Sequence, residues 1–139
     1  MTVSRSCVME RICMNEEYIN EEYEAAIDGL LEILGKIPKA SVTMLNMPRY
    51  MQAIISIEKI VKFIKSDCPD AEITVEFDGL TGTTLCLRII ADELNVYKVN
   101  EFCKAIEPAN TMDVIPRLDE KLEIGFTYKQ VKIPVPPAN

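Results

Sequence analysis

The chain has 139 residues, 27% of them charged and 48% hydrophobic, with a formal net charge of −7 at neutral pH. That length suits one domain, spanning 1–139, with a core large enough to need no disulfide or metal staple. The composition excludes collagen-like, mucin-like and largely disordered chains, and the absence of histidine excludes a Ser-His-Asp triad, a His-paired cysteine or a His-ligated zinc built from this chain alone.

Residues 1–14 read as a flexible lead or a short extra element. They hold no apolar run of the length a signal-peptide core needs, and Glu10, Glu16 and Glu17 interrupt residues 1–20. The longest strongly apolar segment, Ala53–Lys65, is broken by Glu58, Lys59 and Lys62 and falls far short of the roughly 20 residues a membrane span requires. A soluble, cytoplasmic chain is expected, with no membrane partner.

A helix is predicted from Glu16 to Gly35, with Asn15 as its N-cap. At 100° per residue, Ile19, Tyr23, Ala26, Ile27, Leu30, Leu31, Ile33 and Leu34 share one arc, while Glu17, Glu21, Glu24, Asp28 and Glu32 hold the other. A second helix is predicted from Pro48 to Ser66, with Asn46 near its start and Cys68-Pro69 closing it. Its stripe is Tyr50, Ala53, Ile54, Ile57, Ile60, Val61 and Ile64. Short runs of alternating 4,3 spacing in both suggest antiparallel packing, so 15–66 reads as an αα-hairpin.

The period then changes. Ile73, Val75 and Phe77 alternate with Glu72, Thr74, Glu76 and Asp78, and Thr84–Ile90 forms a second such run. Matching apolar faces pairs Phe77 with Leu85, Val75 with Leu87 and Ile73 with Ile89, leaving Gly79–Thr83 as the hairpin loop. Arg88 then opposes Thr74, diagonal to Glu72 and Glu76. Residues 93–107 read as a third helix capped by Asp92 or Asn95, although the β-branched content leaves a strand at 95–99 open. Thr111–Ile115 suits an edge strand ending at Pro116. Leu122, Ile124, Phe126 and Tyr128 alternate strictly, and Val131, Ile133 and Val135 continue with opposite parity, which predicts a bulge or break at Lys129-Gln130. Residues 71–133 form the β-β-α-β part, and the prolines of 134–139 mark an extended tail. The fold class is α+β: an N-terminal αα-hairpin followed by an antiparallel sheet of three to four strands, with helices on one face.

Most motifs resolve into structure rather than chemistry. Cys7, Cys13, Cys68, Cys86 and Cys103 contain no C-x-x-C pair and suit small buried hydrophobes in a reducing compartment. The Gly79–Thr84 loop lacks the lysine and following helix of a phosphate cradle. Asp67, Asp70, Glu72, Glu76 and Asp78 follow the period of a wet face rather than a calcium loop. No metal, cofactor or catalytic residue is assigned.

The charge is unevenly placed. Residues 1–35 carry two basic against eight acidic side chains, and residues 36–66 carry six basic against one acidic. Met51, Ile55 and Phe63 fall among Lys59, Lys62 and Lys65, outside the main stripe of the second helix. A helix apolar beyond one face is either sandwiched between layers or offered to a partner. These six residues form the candidate interface. The expected function is therefore a non-enzymatic protein-interaction or self-association module, a homodimer or a protein partner's dock. The acidic balance argues against nucleic acid. The alternative is a small-molecule-binding or sensor domain with a pocket between the sheet (Val75, Leu87, Phe126, Tyr128) and the third helix (Val99, Phe102). A histidine-free enzyme comes third.

Overall fold

A computed structural model of the chain describes residues 8–37, 46–78, 84–106, 109 and 111–132, with side chains described from residue 21 onward. Its elements are α1 (Val8–Leu34), α2 (Met47–Asp67), β1 (Glu72–Phe77), β2 (Leu85–Ala91), α3 (Val96–Lys104), β3 (Thr111–Pro116) and β4 (Leu122–Tyr128). The four strands make one antiparallel sheet in the order β1-β2-β4-β3. The fold is α+β, with two N-terminal helices preceding the sheet. The hairpin loop at Gly79–Thr83 and the tail at 134–139 lie outside the described residues.

α1 begins at Val8 rather than Glu16, so Asn15 lies inside the helix and is no cap. The start of α2 is held differently from an ordinary capped helix. Asn46 makes no side-chain cap bond. Its amide side chain instead donates to the Gln130 carbonyl at 3.3 Å, and its backbone N–H donates to Val131 at 3.0 Å. Arg49 adds a bond to the Lys129 carbonyl at 3.1 Å. These three bonds fasten the beginning of α2 to the end of β4, 80 or more residues away.

The two long helices pack together, but not in antiparallel sense. Tyr23 meets Tyr50 edge to face at 6.1 Å between ring centroids, and Gly29 lies against Glu58 farther along both helices. Contacts that ascend together in both helices mean that α1 and α2 run in the same direction along their shared seam. Residues 35–46 join them, and a connection of that length can reach about 40 Å when extended. That exceeds the roughly 31 Å length of a 21-residue helix, so a hairpin is not forced by the linker.

The strand register follows the hydrophobic alternation. Phe77 opposes Leu85, Val75 opposes Leu87 and Ile73 opposes Ile89. On β4, Tyr128, Phe126 and Ile124 continue the same rows. The helix-side face of the sheet thus carries Leu85, Leu87, Ile89, Ile124 and Phe126, all buried against Ile54, Ile57, Ile60, Val61 and Ile64 of α2 and Leu30 of α1. Each such aliphatic side chain contributes roughly 1.5–3 kcal/mol when taken fully out of water. β4 ends at Tyr128, and Gln130 takes a positive φ of 62°. That turn carries the chain through the expected parity change and brings Val131 into the core.

Of residues 95–99, Val96 to Val99 are helical, and only the capping Asn95 is extended. Asn95 caps α3 by accepting the Lys98 backbone N–H at 3.0 Å. The helix stops at Lys104, earlier than the expected 107, and buries only Val99 and Cys103.

Candidate interaction surface

α2 is apolar beyond one face because it is flanked on both sides. α1 packs along one flank, and α3 reaches the other through Phe63, whose ring stacks on Phe102 at 4.3 Å and 10°. Phe63 and Ile55 are both half-buried against the core. Lys65 donates to the carbonyls of Pro69 at 3.0 Å and Ala71 at 2.9 Å, tying down the turn between α2 and β1. Lys62 pairs with Glu58 one turn back at 2.7 Å, rather than with Glu21, Glu24 or Asp28 of α1. The hydrogen bond that Lys62 donates to that carboxylate, and then the carboxylate's charge, raise the Lys62 pKa. Of the six residues singled out on α2, Met51 is half-buried, and Lys59 and Lys62 are exposed.

The residues expected to line a pocket are mostly core. Leu87, Phe126, Tyr128 and Val99 are buried, while Val75 and Phe102 are half-buried and packed against them. Beside them lies a recess of about 270 Å³, lined by Asn100, Cys103, Lys104, Ala109, Met112 and Phe126. The Tyr128 hydroxyl faces Ser56 Oγ at 2.9 Å inside the core. Burial pushes the Tyr128 pKa up to about 12, against a smaller opposing effect of that hydrogen bond.

None of the described thiols is activated. Burial pushes Cys103 up to about 11. It also raises Cys68 and Cys86, helped in each case by neighbouring carboxylates. Cys68 donates its proton to the Glu93 carbonyl at 2.8 Å. A cleft beside it is rimmed by Asp67, Asp70, Asp92 and Glu93, yet among the described residues no three histidine, cysteine or carboxylate side chains converge as metal ligands. No helix among them is long and apolar enough to cross a membrane.

The face of the sheet away from the helices is organised around Glu123. Its carboxylate takes Arg88 Nε at 2.9 Å and Arg117 Nη1 at 2.8 Å. Arg88 does oppose Thr74, but its ion pair crosses to β4 instead of returning to Glu72 or Glu76. Arg117 also grips Asp119, with Nη2 at 2.9 Å from Oδ2. Those bonds from Arg117 hold the Asp119 carboxyl down at about 2. The guanidinium at the β3–β4 turn is consequently fixed in place.

β3 is the least covered of the four strands. α3 meets the sheet near Met112 and Phe126. Val114, two residues farther along that face, is 45% exposed, and Ile115 on the opposite face is 42% exposed. Leu118, in the turn that follows, is fully exposed. β3 also forms one margin of the sheet, and its far side meets no other strand among the described residues. Sequence reading identified this edge strand but not its exposure, which depends on how far the short α3 reaches.

Compared with protein-family models, curated proteins and solved structures, the chain matches none, so the reading of its role rests on this surface.

Proposed function

We propose that this chain is a non-enzymatic self-association module that docks through the β3 margin of its sheet. The observation that carries this reading is the conjunction of a strand edge that meets no other strand among the described residues with apolar side chains exposed on both faces of β3, Val114 and Ile115, and Leu118 beside them. An unpaired row of backbone N–H and C=O groups is a template for another strand, and charged residues, proline or coverage normally blunt it. Within β3 that protection comes from one charge, Asp113, and one proline at its end, Pro116. A non-enzymatic role is supported by Cys103 and Tyr128, whose buried environments favour their neutral forms. The α2 set contributes less, since Phe63, Ile55 and Lys65 already have partners inside the fold.

Sedimentation equilibrium of the untagged chain over a wide concentration range tests the reading. The wild-type chain is expected to dimerise, and Ile115→Lys to be monomeric, folded and with an unfolding midpoint that does not change with protein concentration. A wild-type chain that stays monomeric up to about millimolar concentration overturns it. A reproducible small-molecule adduct on that monomer in native mass spectra moves the assignment to ligand binding.

A further inference from the structure

We infer that the partner strand is β3 of a second copy of this chain, running antiparallel across a two-fold axis that passes through Ile115. This rests on the self-association reading above and adds the occupant and its register. In an antiparallel pair, residues directly opposite share a face, so a two-fold axis between identical strands must set one residue against itself. Centres from Met112 to Pro116 bring β3 together, and the one at Met112 sets Asp113 against Thr111. An axis at Asp113 places two carboxylates face to face. An axis at Val114 sets Asp113 against Ile115 of the second copy. An axis at Pro116 sets Asp113 against Asp119. Only the axis at Ile115 gives Asp113 an opposite charge, because it faces Arg117 of the second copy. The same register places Ile115 against itself, Val114 against Pro116, and the half-buried Met112 against the fully exposed Leu118.

Arg117 is suited to that pairing. Nε, Nη1 and Nη2 each already donate within the chain, to Asp119 and Glu123. A guanidinium has five N–H groups, so two stay available to an incoming carboxylate from a head that is already held in place. Proline in a strand belongs where its missing N–H faces away from a bonded neighbour, so on the side away from β4 the backbone groups of Met112, Val114 and Pro116 point outward. In the dimer each Val114–Pro116 pair is joined by one bond, from the Val114 N–H to the Pro116 carbonyl, instead of two. The Ile115 pair is then a non-hydrogen-bonded site, with Cα atoms about 4.5 Å apart, inside the range that a disulfide spans.

Mild oxidation of full-length Ile115→Cys, with wild type and Val114→Cys as controls, tests the register. Ile115→Cys is expected to form covalent dimer at least tenfold faster than either control. A second test mixes Asp113→Lys with Arg117→Glu. Each alone should be monomeric, and the mixture should give a one-to-one heterodimer in native mass spectra. Preferential cross-linking of Val114→Cys, or a wild-type dimer that neither cysteine traps, overturns the register while leaving self-association standing. A monomeric wild-type chain overturns both.

Discussion

Replacing Gly29 by alanine probes the closest approach between α1 and α2. A Cβ at this position would lie 2.7 Å from Glu58 Oε2 and 3.3 Å from its Cγ. Glu58 is only 8% exposed, and the same Oε2 holds Lys62. A methyl group would therefore displace a confined carboxylate from its cation. Against this, alanine is better than glycine in a helix interior by about 0.5–1 kcal/mol. Overpacking of a tight contact typically costs about 1–3 kcal/mol, so Gly29→Ala should destabilise the protein by about 1 kcal/mol. Glu58→Ala removes the obstruction and leaves Lys62 well solvated. In that background Gly29→Ala should stabilise by about 0.5–1 kcal/mol, which makes the coupling about 1.5–2 kcal/mol. Urea unfolding of the four proteins at one fixed protein concentration measures it. If Gly29→Ala stabilises both backgrounds equally, the seam is looser than described and the reasoning fails.

Other outcomes follow from the core. Ser56→Ala strands the buried Tyr128 hydroxyl and should cost about 1–3 kcal/mol in urea unfolding, most of it recovered by adding Tyr128→Phe. Tyr50 and Tyr128 are both pushed up to about 12, in each case chiefly by burial, from an unfolded value near 10. The unfolded chain therefore loses these protons first. Stability should fall as pH rises from about 10 towards 12, at roughly 1.4 kcal/mol per pH unit per tyrosine. Tyr128→Phe should make that decline shallower, and an unchanged slope would refute the assignment. Phe63→Ala and Phe102→Ala should each cost about 2–3 kcal/mol, with the double variant falling short of their sum by about 0.5–1.5 kcal/mol because they share one stack.

Local patterns made much of this fold legible. Glu72–Asp78 and Thr84–Ile90 alternate strictly enough that matching Phe77, Val75 and Ile73 to their partners reproduces the observed register. Pro48 and Asn95 mark the starts of their helices, and the parity change after Tyr128 marks a break where Gln130 turns. What local patterns do not carry is direction and reach. The 4,3 spacing of α1 and α2 is satisfied by packing in either sense, and only Tyr23–Tyr50 and Gly29–Glu58 decide between them. Arg88 could be neutralised by either neighbouring strand until the sheet order put Glu123 beside it. The surplus apolar set on α2 reads the same from sequence whether Phe63 meets Phe102 or a partner. For the candidate surface, Val114 and Ile115 were visible as strand residues, but their exposure follows from where α3 ends.

The position of β4 has a consequence for synthesis. It is the last of the described strands in chain order, yet it lies between β2 and β3 and bonds to both. Until residues 122–128 leave the ribosome, β2 lacks its second neighbour, β3 pairs with none of the described strands, and the beginning of α2 lacks the carbonyls of 129–131 that anchor it. At about 5–20 residues per second, the nascent chain spends seconds with its most apolar strands uncovered. Chain breaks before Leu122 should therefore yield an aggregating product rather than a smaller folded one, and the sheet completes in a single late step.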